Sequence, residues 1–153
     1  MKSNLLLPHL LLAATLSGLP AALLCSTPVQ AASQQEIQEK VVYHINDSAN
    51  AMQAMRNVGN HLDASPGVRI VVVTHGKGID FLLEDAKDRD GTLFQPMVAK
   101  LKDRGVDFRV CNNTLKSRNL TKDAVIQEAS IVPSGVAEIG RLQAREGYVY
   151  LKP

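Results

Sequence analysis

Gly105-Val106-Asp107-Phe108-Arg109-Val110-Cys111-Asn112-Asn113 is the stretch from which the fold is best read. A glycine interrupts a helical pattern, apolar side chains alternate at Val106, Phe108 and Val110, and a polar Asn-Asn-Thr run follows. This predicts a strand that hands over to a turn or helix at Cys111. In open α/β sheets ligands bind outside the carboxyl ends of the strands, so chemistry is first to be sought at this thiol.

Upstream, Arg69-Ile70-Val71-Val72-Val73-Thr74-His75-Gly76 carries four consecutive β-branched apolar residues and predicts the strongest strand. The run from Lys40 to Asn46 predicts another, near-continuously apolar at Val41, Val42, Tyr43 and Ile45, as in a strand covered on both faces. Between these two, Asp47 or Ser48 caps a helix that runs to about Leu62, with Ala51, Met55, Val58 and Leu62 on its inner face. A short helix is expected around Ile79 to Leu83, a charged loop from Asp85 to Gly91, and a helix from Thr92 to Arg104 with Pro96 in its first turn.

Downstream, helical pieces are expected from Asn113 to Asn119 and from Thr121 to Glu128, the second capped by Thr121. A short strand follows from Ala129 to Pro133. Ser134 then begins a helix that turns Val136, Ile139 and Leu142 inward, Gly147 closes it, and Tyr148 to Leu151 forms a last strand. Strands separated by helices, with no hairpin signal, predict an α/β fold with a mostly parallel sheet and helices on both faces.

The first 31 residues stand apart. A basic Met1-Lys2 start, an apolar run from Leu5 to Leu24 and the small-residue pattern Val29-Gln30-Ala31 predict a signal peptide cleaved after Ala31. The run nearly has the length of a membrane span, but Pro8, Pro20 and the polar exit Ser33-Gln34-Gln35-Glu36 favour removal. A lipoprotein site at Cys25 is disfavoured by Leu24, where a small side chain is wanted. The expected organisation is a signal peptide over 1–31, a polar lead-in over 32–39 and one domain over 40–153, exported to the periplasm with no stable membrane anchor after cleavage.

Cleavage leaves sixteen basic against fifteen acidic side chains, a net charge of +1, and no basic block. That balance carries no electrostatic footprint for nucleic acid. Cleavage also removes Cys25, so Cys111 becomes solitary and an intrachain disulfide is ruled out.

A parallel sheet gathers the carboxyl ends of its strands on one edge. His44, Ile45, Asn46 and Asp47, then Thr74, His75, Gly76 and Lys77, then Cys111, Asn112 and Asn113 are expected there. Cys111 is the candidate catalytic thiol, placed before a helical piece whose free N–H groups stabilise a thiolate, with Lys77, Arg109 or Lys116 as sources of positive charge. The competing readings are a buried, inert cysteine that continues its strand's apolar pattern and a partner in an intermolecular disulfide. His75 is a candidate base, thiolate partner or metal ligand. Asn46, Asp47, Gly76, Asn112 and Asn113 are candidate ligand-binding residues. His44 is expected in the core and His61 in solvent.

No ligand spacing points to zinc. Gly76-Lys77-Gly78 lacks the remainder of a dinucleotide or phosphate loop, and Pro133-Ser134-Gly135 lacks the first glycine of a hydrolase elbow. No metal or cofactor is expected.

The sequence resembles the DsrE/DsrF-like family. The likeness lies in Val110-Cys111-Asn112-Asn113-Thr114-Leu115, in Ile131-Val132-Pro133-Ser134-Gly135-Val136, and in the tail from Leu142-Gln143 through Gly147-Tyr148-Val149-Tyr150-Leu151-Lys152-Pro153. The early strands Lys40-Val41-Val42-Tyr43-His44-Ile45 and Val71-Val72-Val73-Thr74-His75-Gly76 are also similar. The resemblance implies a three-layer α/β/α sandwich with a mostly parallel sheet of about five strands, assembled as a homo-oligomer, a trimer or hexamer. It also implies a sulfur-relay role in which Cys111 carries a persulfide between a donor and an acceptor protein. The well-understood relay members are cytoplasmic, so an exported chain implies different partners.

Overall fold

The computed structural model describes residues 38–153. The expected signal peptide, and the lead-in as far as residue 37, lie outside the described residues. Five strands form one sheet: β1 (Lys40–Asp47), β2 (Arg69–Lys77), β3 (Asp107–Cys111), β4 (Ala129–Val132) and β5 (Val149–Leu151). Four α-helices accompany them: α1 (Ala51–Ala64), α2 (Gln95–Asp103), α3 (Asn112–Ser117) and α4 (Gly135–Glu146). The strand order is β4-β3-β2-β1-β5 and every pairing is parallel.

This order follows from handedness. The steps from β1 to β2 to β3 to β4 all move one way across the sheet, whereas the step from β4 to β5 returns to the far side of β1. Right-handed crossovers therefore put α1, α2 and α3 on one face and α4 on the other. The two apolar clusters match. One joins Met55 and Val58 of α1, Val98 and Leu101 of α2 and Leu115 of α3 to Val41, Tyr43, Ile45, Ile70, Val72, Phe108 and Val110. The smaller one joins Ile139 and Leu142 of α4 to Val42, Val71, Val73 and Tyr148. Alternation along each strand sends successive side chains to opposite faces, so His44, His75, Arg109 and Cys111 all share the α4 side with Val42 and Val73.

Helix ends follow the sequence signals with a few departures. The Ser134 side chain caps α4 by accepting from the Ala137 N–H at 3.4 Å, and Gly147 closes it with a left-handed φ of 73°. Val136, expected inward, is 65 % exposed, and Glu138 takes the covered position instead. The reason is the network beneath α4: Glu138 bonds Arg109 and Arg141, and Arg109 Nη2 bonds Asp107 Oδ2 at 2.5 Å. Arg109 thus supplies no free charge beside Cys111. Its strand is interior, and its guanidinium is engaged with two carboxylates. Thr121 makes no side-chain cap, and only a single 3-10 turn, Lys122–Ala124, follows it.

Candidate functional site

Cys111 ends β3, and α3 begins at the next residue. After β3 the chain turns toward the α1 face, whereas after β4 it turns toward the α4 face, so the carboxyl ends of these two strands flank a topological switch point. Open α/β sheets bind ligands at such points. Helices leaving in opposite directions present their N-terminal N–H groups to the same place.

The thiol occupies that place. Burial pushes its pKa up, but hydrogen bonds from the backbone N–H groups of Gly135, Thr114 and Asn113 and from the Thr114 side chain outweigh burial and hold it below the usual cysteine range. The Thr114 hydroxyl oxygen also accepts the Gly76 N–H at 3.0 Å, which ties the end of β2 to the start of α3. Cys111 is 4 % exposed.

Gly135 makes the convergence possible. A Cβ added there would lie 3.1 Å from the Thr74 carbonyl oxygen, 3.2 Å from the Cβ of Cys111 and 3.3 Å from the Cβ of His75. The missing side chain lets the first turn of α4 approach this closely without crowding Thr74, Cys111 or His75, and brings its N–H toward the sulfur.

Beside Cys111 on the same face stands a chain of polar rings. The Nδ1 of His44 is 2.7 Å from the Tyr150 hydroxyl, and its Nε2 is 2.6 Å from Nε2 of His75. The two imidazoles meet edge to edge, with centroids 4.6 Å apart and planes inclined at 29°. Desolvation, the neighbouring His75 and Lys152 lower the pKa of His44 to about 4. Desolvation and Lys152 lower that of His75 as well. Both rings are therefore neutral at neutral pH.

The structure brings together Cys111, His75, Gly76, Asn112 and Asn113 among the predicted residues. Asn112 opens α3 half-buried, and Asn113 contributes its backbone N–H. Asn46 and Asp47 end β1, two strands from Cys111. Asp47 is a cap, accepting the Ala49 N–H at 3.0 Å. His44 is half-buried at the sheet edge, not in the core. His61 is no free solvent group: Nδ1 bonds the Tyr43 hydroxyl at 2.9 Å and Nε2 bonds Glu39 at 2.8 Å.

Sequence reasoning missed Thr114, Gly135, Tyr150 and Lys152. Thr114 was signalled by the polar run after Cys111; the other three lie in stretches that carry the family likeness, but nothing local in them points to the thiol or to His44. Among the described residues no group of three or more His, Cys, Asp or Glu is arranged to hold a metal ion, and no helix is long and apolar enough to cross a membrane. A cavity of about 420 Å³ lies away from the thiol, lined by Asp47, Met52, Arg56, Lys87, Arg89 and Phe94 among others.

The family model for the DsrE/DsrF-like family matches residues 29–153. A protein of unknown function, MTH1491 from Methanobacterium thermoautotrophicum, has a solved structure similar to this one with a TM-score of 0.69 and 30% identity, covering 76% of this chain and all of that one. The ychN protein from E. coli superposes with a TM-score of 0.61 over the same share of each chain at 13% identity, a likeness of fold alone. No curated protein matches. The chain belongs to the DsrE/DsrF-like family.

Proposed function

We propose that this DsrE/DsrF-like protein is a sulfur carrier that works through Cys111. The observation that carries the reading is the place of Cys111, at the end of β3 where α3 begins and where Gly135 of α4 packs against it; backbone N–H groups there and the Thr114 hydroxyl hold a buried thiol toward its thiolate form. The thiolate, not the thiol, is the attacking species. In the uptake step the Cys111 thiolate attacks the outer sulfur of a donor persulfide R–S–SH. The donor S–S bond breaks, R–S⁻ leaves with the electron pair, and Cys111–S–SH forms without net oxidation or reduction. Handing on reverses the step with an acceptor thiolate.

His75 lies beside the thiol as a supporting group, and Asn112 and Asn113 begin the helix whose N–H groups face it. The reading requires no metal or nucleotide. We place the protein in the periplasm on the strength of its N-terminal sequence, as a homo-oligomer, with a donor and an acceptor protein of its own. Intact-mass measurement after incubation with a sulfane-sulfur donor tests the carrier role. Gain of one sulfur atom by the wild type and none by Cys111→Ser is expected; an equal gain in both sinks it.

One observation favours a second reading, a non-catalytic binding or interaction module in which Cys111 is packing. The thiol is 4 % exposed, while the cavity of about 420 Å³ lies elsewhere. A folded protein whose Cys111 resists a small alkylating agent throughout the mildly alkaline range would decide for this reading, because a structural buried thiol is inert.

A further inference from the structure

Tyr150, His44 and His75 sit on β5, β1 and β2, three adjacent strands, and form one continuous hydrogen-bonded chain. On the next strand, β3, stands Cys111. The Cβ atoms of His75 and Cys111 both border the space above Gly135, so the two side chains flank the same close approach of α4. With its Nε2 taken by His44 on the β1 side, His75 has only Nδ1 left to offer.

The direction of the chain follows from acidity. A phenol gives up its proton far more readily than a neutral imidazole N–H, and an imidazole nitrogen is the better acceptor. Tyr150 therefore donates to Nδ1 of His44. A neutral imidazole carries one proton, so that of His44 sits on Nε2 and is donated to Nε2 of His75. The proton of His75 is then on Nδ1, because the hydrogen bond at one ring nitrogen sets the state of the other.

We infer that Tyr150 and His44 are positioning residues, which hold His75 as the Nδ1–H tautomer and so present a neutral hydrogen-bond donor to the sulfur of Cys111. The role in sulfur handling rests on the carrier reading above. The surroundings favour a neutral pair. Lys152 from the tail opposes an added proton on either ring. Ser134 and Gly135, where α4 approaches, bring no ionisable side chain. Farther back on the same face the Arg109 guanidinium is already paired with Asp107 and Glu138. A neutral donor serves a sulfur site well: it stabilises a thiolate or an anionic persulfide without quenching it by proton transfer.

Long-range proton–nitrogen NMR of the full folded chain at about pH 7.5 reads the tautomer, and the pH profile of Cys111 alkylation by iodoacetamide reads its consequence. The wild type is expected to show His75 protonated on Nδ1. Tyr150→Phe, which keeps the ring and removes the donor, is expected to shift His75 toward Nε2–H. The apparent pKa of Cys111 should then rise by roughly half to one unit, the effect of weakening one hydrogen bond to the thiolate. His44→Leu should do the same. A wild-type His75 protonated on Nε2 overturns the inference, even if a variant fails to fold. So does a Tyr150→Phe protein whose spectra and alkylation profile superimpose on the wild type. Neither readout involves sulfur uptake. Protein that shows these shifts but gains no sulfur sinks the carrier reading alone; protein that gains sulfur without them sinks only the positioning role.

Discussion

Nε2 of His44 and Nε2 of His75 are 2.6 Å apart, joined by a hydrogen bond across two adjacent parallel strands. Two imidazoles in such contact share one bridging proton and resist taking up a second charge. The pair, with Tyr150 behind it and Cys111 beside it, turns the α4 face of the sheet edge into a polar, neutral surface around a thiol.

Stability should fall on mild acidification because of this pair. The folded pKa of His44, about 4, lies below its unfolded value of 6.5, so between these values the unfolded chain binds more protons. Stability is full above the unfolded value and is lost as pH falls through the window. Allowing for solvent screening of a half-exposed ring, the loss is about 1–2 kcal/mol. Urea unfolding at about pH 7 and about pH 4.5 measures it, and His44→Gln should flatten the dependence. A wild-type difference no larger than that of the variant contradicts the assignment.

Thr114 bridges the thiol and the Gly76 N–H. Thr114→Val is expected to raise the apparent pKa of Cys111 and to destabilise the domain by about 1 kcal/mol, since the Gly76 donor loses its partner. Alkylation rate against pH and chemical denaturation read the two effects separately. An unmoved alkylation profile would show that the hydroxyl does not act on the sulfur.

Gly135→Ala places a methyl group 3.1 Å from the Thr74 carbonyl and against both Cys111 and His75. Overpacking of this kind costs about 1–3 kcal/mol. The same shift moves the Gly135 N–H away from the sulfur, so Cys111 should alkylate at higher pH than in the wild type. Full stability with an unchanged profile would disprove the close packing.

Glu138 accepts from both Arg109 and Arg141 beneath α4. Glu138→Ala leaves Arg109 with Asp107 alone and is expected to cost about 1–2 kcal/mol, less than a fully buried pair because the cluster is partly solvated. Equilibrium denaturation checks this. Glu138→Gln, which keeps one acceptor oxygen, should lose less; a greater loss would refute the hydrogen-bonding account.

Assembly has its own test. Val149, Tyr150 and Leu151 are exposed along the edge strand β5, and Val136 is exposed on α4. Apolar surface and an unpaired strand edge favour association with further copies. Light scattering at micromolar concentration is expected to show a trimer or hexamer, and a monomer refutes the proposal.

Much of the fold was legible. Val71, Val72 and Val73 allow little but a buried strand, and Gly105 marks a boundary wherever the rest of the chain goes. The site was legible only in part. His44 lies in the apolar run Val41 to Ile45 and reads as core, yet alternation turns it to the thinly covered α4 face near the end of its strand. Val136 reads as inward on helical spacing, yet the partly buried ion pairs of Arg109 draw Glu138 into that role.

From its sequence alone this protein has its element order, its parallel α/β character, its likeness to the DsrE/DsrF-like family and a cysteine at the end of a strand. These follow from periodicity and from residues adjacent in the chain, which act over a few ångströms. Tertiary structure decided that β5 lies beside β1, so that Tyr150 reaches His44 across 106 residues. It also decided that α4 crosses to the opposite face and brings Gly135 onto Cys111. The handedness of the crossovers and the closeness of packing set those contacts, and no local pattern encodes either.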